Sequence, residues 1–464
     1  MGRFEGVFAV APYRLATLVL LCIGFVGVVW LNWPGHLSYD SVVQLLDGRT
    51  GRYHTWHPPF MAWLLGLCDH LVRGAGLFIA LQALLLFGSL GALVWLRPSI
   101  SPLAPALVLG LFALPHVVLW QAIVWKDVLF ADLMVAGFTL LWASCRRPGL
   151  DRWSWTLIAL AFLGLSGATL VRQNGLFALL LGGAALGHDL YRKADGPIRR
   201  RLLKAIGVVL PALLAGFALI LVATAGLKRR SIDGDGGEAQ IHMLQTYDVV
   251  GVAAHDPAAR LDKLPPGLAP LIRSTARTLY TPQRNDDLLH NAFDRTTAAA
   301  ADEMEAQWLD LLVHHPEPWL RHRLEVFGWI FASPHRVCYS EATGVDGPAP
   351  MLKALHMAAG QNGRDLALEQ YAGAFYGAPV YSHLFYGALA LVLMVALFRS
   401  RAHEDAVFGF MLAAAWLFVL SFFLIGVACD YRYLYALDLT TIVAGFHWTL
   451  GLRMLALGRR RLPA

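Results

Sequence analysis

Charge is what this sequence has little of. Asp, Glu, Lys and Arg make up 15% of its 464 residues, against about 25% in a soluble domain. The shortfall excludes an ordinary water-facing surface and is explained if much of the surface faces lipid. The chain also lacks a glycine-rich phosphate loop, an internal repeat and any low-complexity tract. No cleavable signal pattern precedes its first apolar run, Leu15–Trp30, which reads as a permanent helix.

What is present is apolar: 57% of the residues are hydrophobic, and several runs approach the ~20 residues that span a bilayer. The formal net charge of +6 comes from basic residues at the ends of those runs. That placement fits basic cytoplasmic loops and not nucleic-acid binding. The expected fold is therefore all-α, a polytopic integral membrane protein with about ten transmembrane helices, at roughly 14–32, 76–97, 103–121, 127–145, 153–171, 174–190, 205–226, 380–398, 405–428 and 432–452.

With the N-terminus inside, the cytoplasmic loops hold Arg97; Arg146, Arg147 and Arg152; Arg192, Lys193, Arg199, Arg200, Arg201 and Lys204; and Arg399 and Arg401, with Arg459, Arg460 and Arg461 in the tail. This bias places both termini in the cytoplasm. Three regions follow: a membrane module, 1–226, with an outer loop at 33–58; a mostly helical periplasmic region, 227–378; and C-terminal membrane helices, 379–464. Trp319–Ala332 is too short and too charged to span, and is expected to be interfacial or partly inserted. Ala298–Leu312 shows helical spacing. In SIDGDGGEAQ, the DGDGG stretch has no Glu at calcium-loop spacing and reads as a turn. His314-His315 has no evident third partner for a metal. Of the five cysteines, Cys22 and Cys145 fall in or under the membrane. Cys338 and Cys429 fall outside, where a disulfide can form, but pairing is not readable from sequence.

Most of the unusual polar residues then lie on one side. Asp40 follows Trp33-Pro34-Gly35, with Ser38 placed to cap a short helix whose Val42, Val43, Leu45 and Leu46 give it an apolar side to lay on the membrane surface. A carboxylate there also simply suits a helix N-terminus. His57-Pro58-Pro59 is a rigid entry to the short helix Phe60–Leu71. Trp125-Lys126-Asp127 reads equally as interfacial anchoring. Arg172-Gln173-Asn174 sits in a turn so tight that its cation is better explained by an anionic partner. Arg432, flanked by Tyr431 and Tyr433, opens the last span. Asp430 is placed to pair with it, and Asp438 lies within the membrane. Cations at an interface suit a lipid-linked phosphate, and a carboxylate suits a general base.

In their order and common side, Asp40, His57-Pro58-Pro59, Lys126-Asp127, Arg172 with Asn174, His315-Pro316 with Trp319-Leu320, and Arg432-Tyr433-Leu434 resemble the C-type polytopic membrane glycosyltransferases. These include protein O-mannosyltransferases and the aminoarabinose transferases of lipid A. The resemblance implies a polyprenyl-phosphate sugar donor, a periplasmic active site in a bacterial inner membrane, and Asp40 as catalytic base. It also implies donor or acceptor binding by His57, Lys126, Asp127, Arg172, Asn174, Arg432 and Tyr433. Tyr39-Asp40-Ser41 departs from the two consecutive acids of protein mannosyltransferases. A metal-bridged acid pair is therefore not expected, no cofactor is indicated although a divalent metal stays open, and a protein acceptor is in doubt. The expected acceptor is an envelope glycan or lipid. Two rivals stay open: a lipid or oligosaccharide transporter or flippase, and an envelope glycan polymerase or ligase.

Overall fold

The computed structural model describes residues 12–233, 236–289, 296–332, 338 and 341–451. Gly234 and Asp235 of the DGDGG stretch and the basic tail Arg459–Arg461 lie outside them. The chain is an all-α, polytopic membrane protein. Its first half comprises α1 (Pro12–Asn32), α2 (Tyr39–Thr50), α3 (Phe60–Leu71), α4 (Gly76–Leu96), α5 (Ala104–Leu111), α6 (Pro115–Val118), α7 (Lys126–Cys145), α8 (Arg152–Val171), α9 (Leu176–Lys193) and α10 (Ile198–Lys228). The region that follows contains α11 (Gly236–His255), α12 (Leu268–Thr278), α13 (Asp286–Leu289), α14 (Ala301–His314), α15 (Pro316–Ala332), α16 (Ala349–Leu355) and α17 (Gly363–Gly373). Three helices complete the described chain: α18 (His383–Phe398), α19 (Ala406–Ile425) and α20 (Tyr435–Gly451).

Among the described residues, six segments are long and apolar enough to cross a membrane: α1, α4, α7, α8, α10 and His403–Ile425, which contains α19. The window expected as one span at 103–121 is instead broken, with a 76° bend between Ala104–Leu111 and Pro115–Ala122. The cause is Pro115 at the start of α6, which leaves Leu114 extended. Counted as one span, that pair is a seventh. The other expected windows hold α9, α18 and α20, of 18, 16 and 17 residues.

Two local expectations change. The apolar side of α2 does not lie on the membrane: Val42 and Leu45 are fully buried in protein. Gly48 makes this burial work, because it meets Gly66 of α3 backbone to backbone, with no room for a Cβ on either. The charged face of α15 also turns inward. Arg323 and His322 are fully buried and meet Asp248 of α11. Asp248 also accepts the indole N–H groups of Trp308 (2.7 Å) and Trp319 (3.0 Å). A buried charge is tolerated only with such partners. Arg323 Nη1 further donates to the Gly426 carbonyl at 2.7 Å, which fixes the segment leading to Arg432.

Three loops lock together above the helix ends through isolated backbone bridges. His36 N–H donates to the Ala122 carbonyl (3.0 Å) and Val124 N–H to the His36 carbonyl (3.0 Å). Leu37 N–H donates to Gly344 (2.9 Å) and Asp346 N–H back to Leu37 (2.8 Å). Cys338 and Cys429 form a disulfide, so the residue just before Asp430 is tied to the long loop region.

The expected cytoplasmic cations gather at the far ends of the same helices. There Arg146 pairs with Glu404 (3.2 Å), Arg97 lies 3.9 Å from Asp405, and Lys193 pairs with Asp189 (2.8 Å). Lys126 and Cys145 are the two ends of α7, a 20-residue helix and so about 30 Å long.

Candidate active site

The loop bridges set Ser38 and Trp125 side by side. Trp125 Nε1 donates to Ser38 Oγ (2.8 Å), and Ser41 Oγ donates to the Val124 carbonyl (2.7 Å). The first turn of α2 is thus pinned to the residues that open α7. Asp40 and Lys126, 86 positions apart in sequence, face the same space.

A chain of hydrogen-bonding groups joins them. Lys126 Nζ lies 2.8 Å from His57 Nδ1, and His57 Nε2 lies 3.4 Å from Asp40 Oδ1. An ammonium can only donate, so His57 Nδ1 accepts and Nε2 carries the proton toward Asp40. The two prolines after His57 hold the ring there by fixing the backbone. On the other side, Arg432 Nη1 is 3.1 Å from Asp40 Oδ2, and its Nε is 2.8 Å from Asp430 Oδ2. The Arg432 guanidinium lies 5.0 Å over the Trp125 ring. His57, from the loop between α2 and α3, and Arg432, from the turn before α20, thus meet at Asp40.

Burial works to raise the pKa of Asp40. The hydrogen bond from His57 and the charges of Arg432 and Lys126 overcome it and hold the carboxyl well below the usual carboxylate range. Burial, assisted by the Lys126 charge, lowers His57 to about 4. At neutral pH His57 is uncharged and gives Asp40 an N–H, so the charge on that side comes from Lys126 and Arg432. Burial pushes the Asp430 carboxyl up against the pull of Arg432.

Arg172 forms a close ion pair with Asp127. Its guanidinium sits over the rings of Phe418, Phe422 and Tyr433 at 5.7, 5.5 and 5.5 Å. Tyr433 lies between this cation and Arg432, which is 5.8 Å from the same ring. Asn174 Nδ2 donates to Ser421 Oγ at 3.0 Å. One expected role changes. Asp127 was expected to bind substrate, but it is only 2% exposed, and what it holds is Arg172.

Two cavities open on the cations. One, of about 440 Å³, is lined by Asp40, His57, Lys126, Arg172, Arg432 and Tyr433 together with Trp56, Gln240 and Asn285. The other, of about 410 Å³, shares Lys126 and Arg172 and runs along apolar residues of α8, α9 and α10, among them Leu170, Leu176, Phe217, Ile220 and Leu227. A cationic chamber thus adjoins a groove with apolar walls. Among the described residues no group of three or more His, Cys, Asp or Glu side chains could hold a metal ion. His314 and His315 pair instead with Asp310 (3.2 Å) and Asp256 (3.1 Å). Trp56 and Gln240 went unnoticed in the sequence, because a lone loop Trp and a helix Gln carry no periodic or charge signal.

No family model matches the chain, and no curated protein matches it. Among solved structures it is similar to the oligosaccharyltransferase AglB from Archaeoglobus fulgidus in complex with an inhibitory peptide and a dolichol-phosphate. The TM-score is 0.42 at 14% identity, over 94% of this chain and 50% of that one. It is also similar to ArnT from Cupriavidus metallidurans in the apo state, with a TM-score of 0.34 at 13% identity over 94% and 77%. The chain spans about half the length of the AglB chain. These values describe a likeness of helix layout and carry no argument about chemistry, which rests on the site itself.

Proposed function

We propose that the protein is a membrane glycosyltransferase that moves a sugar from a polyprenyl-phosphate donor to an envelope glycan or lipid at the outer face of the cell membrane. One observation carries this reading: a half-buried carboxylate, Asp40, shares a chamber with Lys126, Arg172 and Arg432, and an apolar groove leads away from the same cations. The lipid chain lies in the groove, and its phosphate meets the cations. An acceptor hydroxyl gives its proton to Asp40 while its oxygen bonds to the sugar's C1. The C1–O bond to phosphate breaks, and its electron pair leaves with polyprenyl phosphate, whose charge Lys126 and Arg432 stabilise.

The resting site holds Asp40 as a weak base, because Arg432 and the Lys126–His57 chain face its two oxygens. An arriving phosphate competes for those cations and so raises the basicity of Asp40 when the donor is in place. Placement at the outer face is supported by the Cys338–Cys429 disulfide beside the site and by the basic cluster at the opposite helix ends.

The transporter reading draws on the broken helix at Pro115 and on the buried acids Asp132 and Asp438. Those acids are engaged: Asp438 meets His383 (3.0 Å) and Tyr431 (2.6 Å), and Asp132 meets Gln121 (3.0 Å). They hold helices together and line neither of the two cavities just described.

The test uses the full chain in nanodiscs with a panel of polyprenyl-phosphate sugars and extracted envelope lipids. Asp40→Asn should cut product formation by about 10²–10⁴-fold while polyprenyl phosphate still binds. Unchanged turnover removes Asp40 from the mechanism. Labelled lipid crossing proteoliposomes with no new glycosidic bond would decide for transport.

A further inference from the structure

Asp40 also borders a second chamber. This cavity, of about 330 Å³, shares Asp40, Trp56 and His57 with the cationic chamber. Its chemistry is the reverse. No Lys or Arg lines it, and α2 presents Asp40, Gln44 and Asp47 to it, one helical turn apart. Asp47 is engaged by His54, whose N–H donates at 2.9 Å and whose Nδ1 lies at 2.8 Å.

Among the buried side chains with an unpaired polar atom, Gln44 lines this cavity. It is 4% exposed. Its Nε2 donates to the Asp40 carbonyl at 3.3 Å. Its Oε1 is buried and accepts no hydrogen bond among the described residues. A buried acceptor left unpaired is costly. Two partly exposed rings, Tyr39 (57%) and Trp56 (41%), line the same space and offer apolar faces.

We propose that this cavity is the acceptor subsite of the transferase and that it takes the neutral, hydroxyl-rich end of a sugar and refuses a phosphorylated one. The inference rests on the glycosyltransferase reading and adds to it the class of acceptor. One sugar hydroxyl donates to Gln44 Oε1. A neighbouring hydroxyl faces Asp40, loses its proton to that carboxylate and attacks C1 of the donor from the side opposite the departing phosphate. A sugar phosphate would meet Asp40, Asp47 and Asp233, while Arg432 and Lys126, which offset Asp40, are not among the residues lining this cavity. The sign of charge thus changes across Asp40, cationic where the leaving phosphate sits and anionic where the nucleophile enters.

The test is saturation-transfer NMR on the full chain in nanodiscs, with methyl glycosides of glucose, galactose and mannose and their 6-phosphates as probes. At least one neutral glycoside should give signal and the 6-phosphates none. Gln44→Leu should weaken that binding by about 2–10-fold, whereas Gln44→Glu, which keeps the acceptor oxygen, should retain it. Glu369→Gln serves as a control in the neighbouring cavity of about 580 Å³. Polyprenyl phosphate binding is measured in parallel with Arg172→Glu. If Arg172→Glu leaves lipid affinity unchanged, the donor reading fails. If lipid binding behaves as expected but Gln44→Leu has no effect, the acceptor assignment alone is overturned. Binding of the 6-phosphates, loss of sugar signal only in Glu369→Gln, or no glycoside signal at all overturns it too.

Discussion

Asp40 and His57 form a pair whose protonation states are set by burial and by cations, and this makes their pH behaviour specific. An imidazolium has no acceptor nitrogen, so protonating His57 breaks its bond from Lys126. His57 sits at about 4 in the folded protein, below its ordinary value. Its contribution to stability is therefore full above the unfolded value near 6.5 and is lost as pH falls toward 4. The same shift predicts that kcat/KM has no acid limb near pH 6.5 and falls only as pH approaches about 4. A pH profile with a limb at 6.5 that disappears in His57→Gln would contradict this. Asp40, His57, Lys126, Arg172 and Arg432 were legible in the sequence because polar residues stand out at the ends of apolar runs. The role of Asp127 was hidden, since only the fold decides that Lys126 turns to His57 and leaves Asp127 to Arg172. Gln44 and Trp56 were invisible for the opposite reason: nothing in their neighbourhood makes a helix Gln or a loop Trp unusual.

At the scale of elements, the placement of α2 decides whether Asp40 has a site to act in. The sequence specified this helix, its Ser38 start and its apolar side. It did not specify what the apolar side meets. The answer lies in two glycines 18 positions apart, Gly48 and Gly66, whose backbones touch. A Cβ on Gly48 would collide with the backbone of Ala62 and Gly66. We expect Gly48→Ala to destabilise the protein by about 1–3 kcal/mol and to lower turnover by displacing Asp40, as seen in thermal melts and product assays. A melt and a turnover equal to wild type would mean that α2 is not held by this contact. The break at Pro115 was legible in principle, since a proline within an apolar run disfavours a straight span. The inward turn of α15 was not, because its buried charge is paid for by Asp248, some 75 positions away in the sequence.

Across the whole molecule, the site and the basic cluster occupy opposite ends of shared helices, such as α7. In a polytopic membrane protein, these two ends face opposite sides of the bilayer. The account predicts that membrane-impermeant maleimide added to intact cells labels Ile241→Cys, an exposed position lining the cationic chamber, and spares Arg152→Cys at the other end. The reverse pattern would put the chemistry in the cytoplasm and remove the reason for a lipid-linked donor. The all-helical membrane class was readable from hydropathy and charge placement. The cavities were not, because they arise from tertiary gaps between helices that no periodicity encodes.

The most direct measurement is a cryo-electron microscopy map of the full chain in nanodiscs supplied with polyprenyl phosphate. The account predicts phosphate density within hydrogen-bonding distance of Lys126 and Arg432, close to Asp40, with the isoprenoid chain along Phe217, Ile220 and Leu227. Lipid phosphate bound elsewhere, with the chamber beside Asp40 closed to it, would contradict the account.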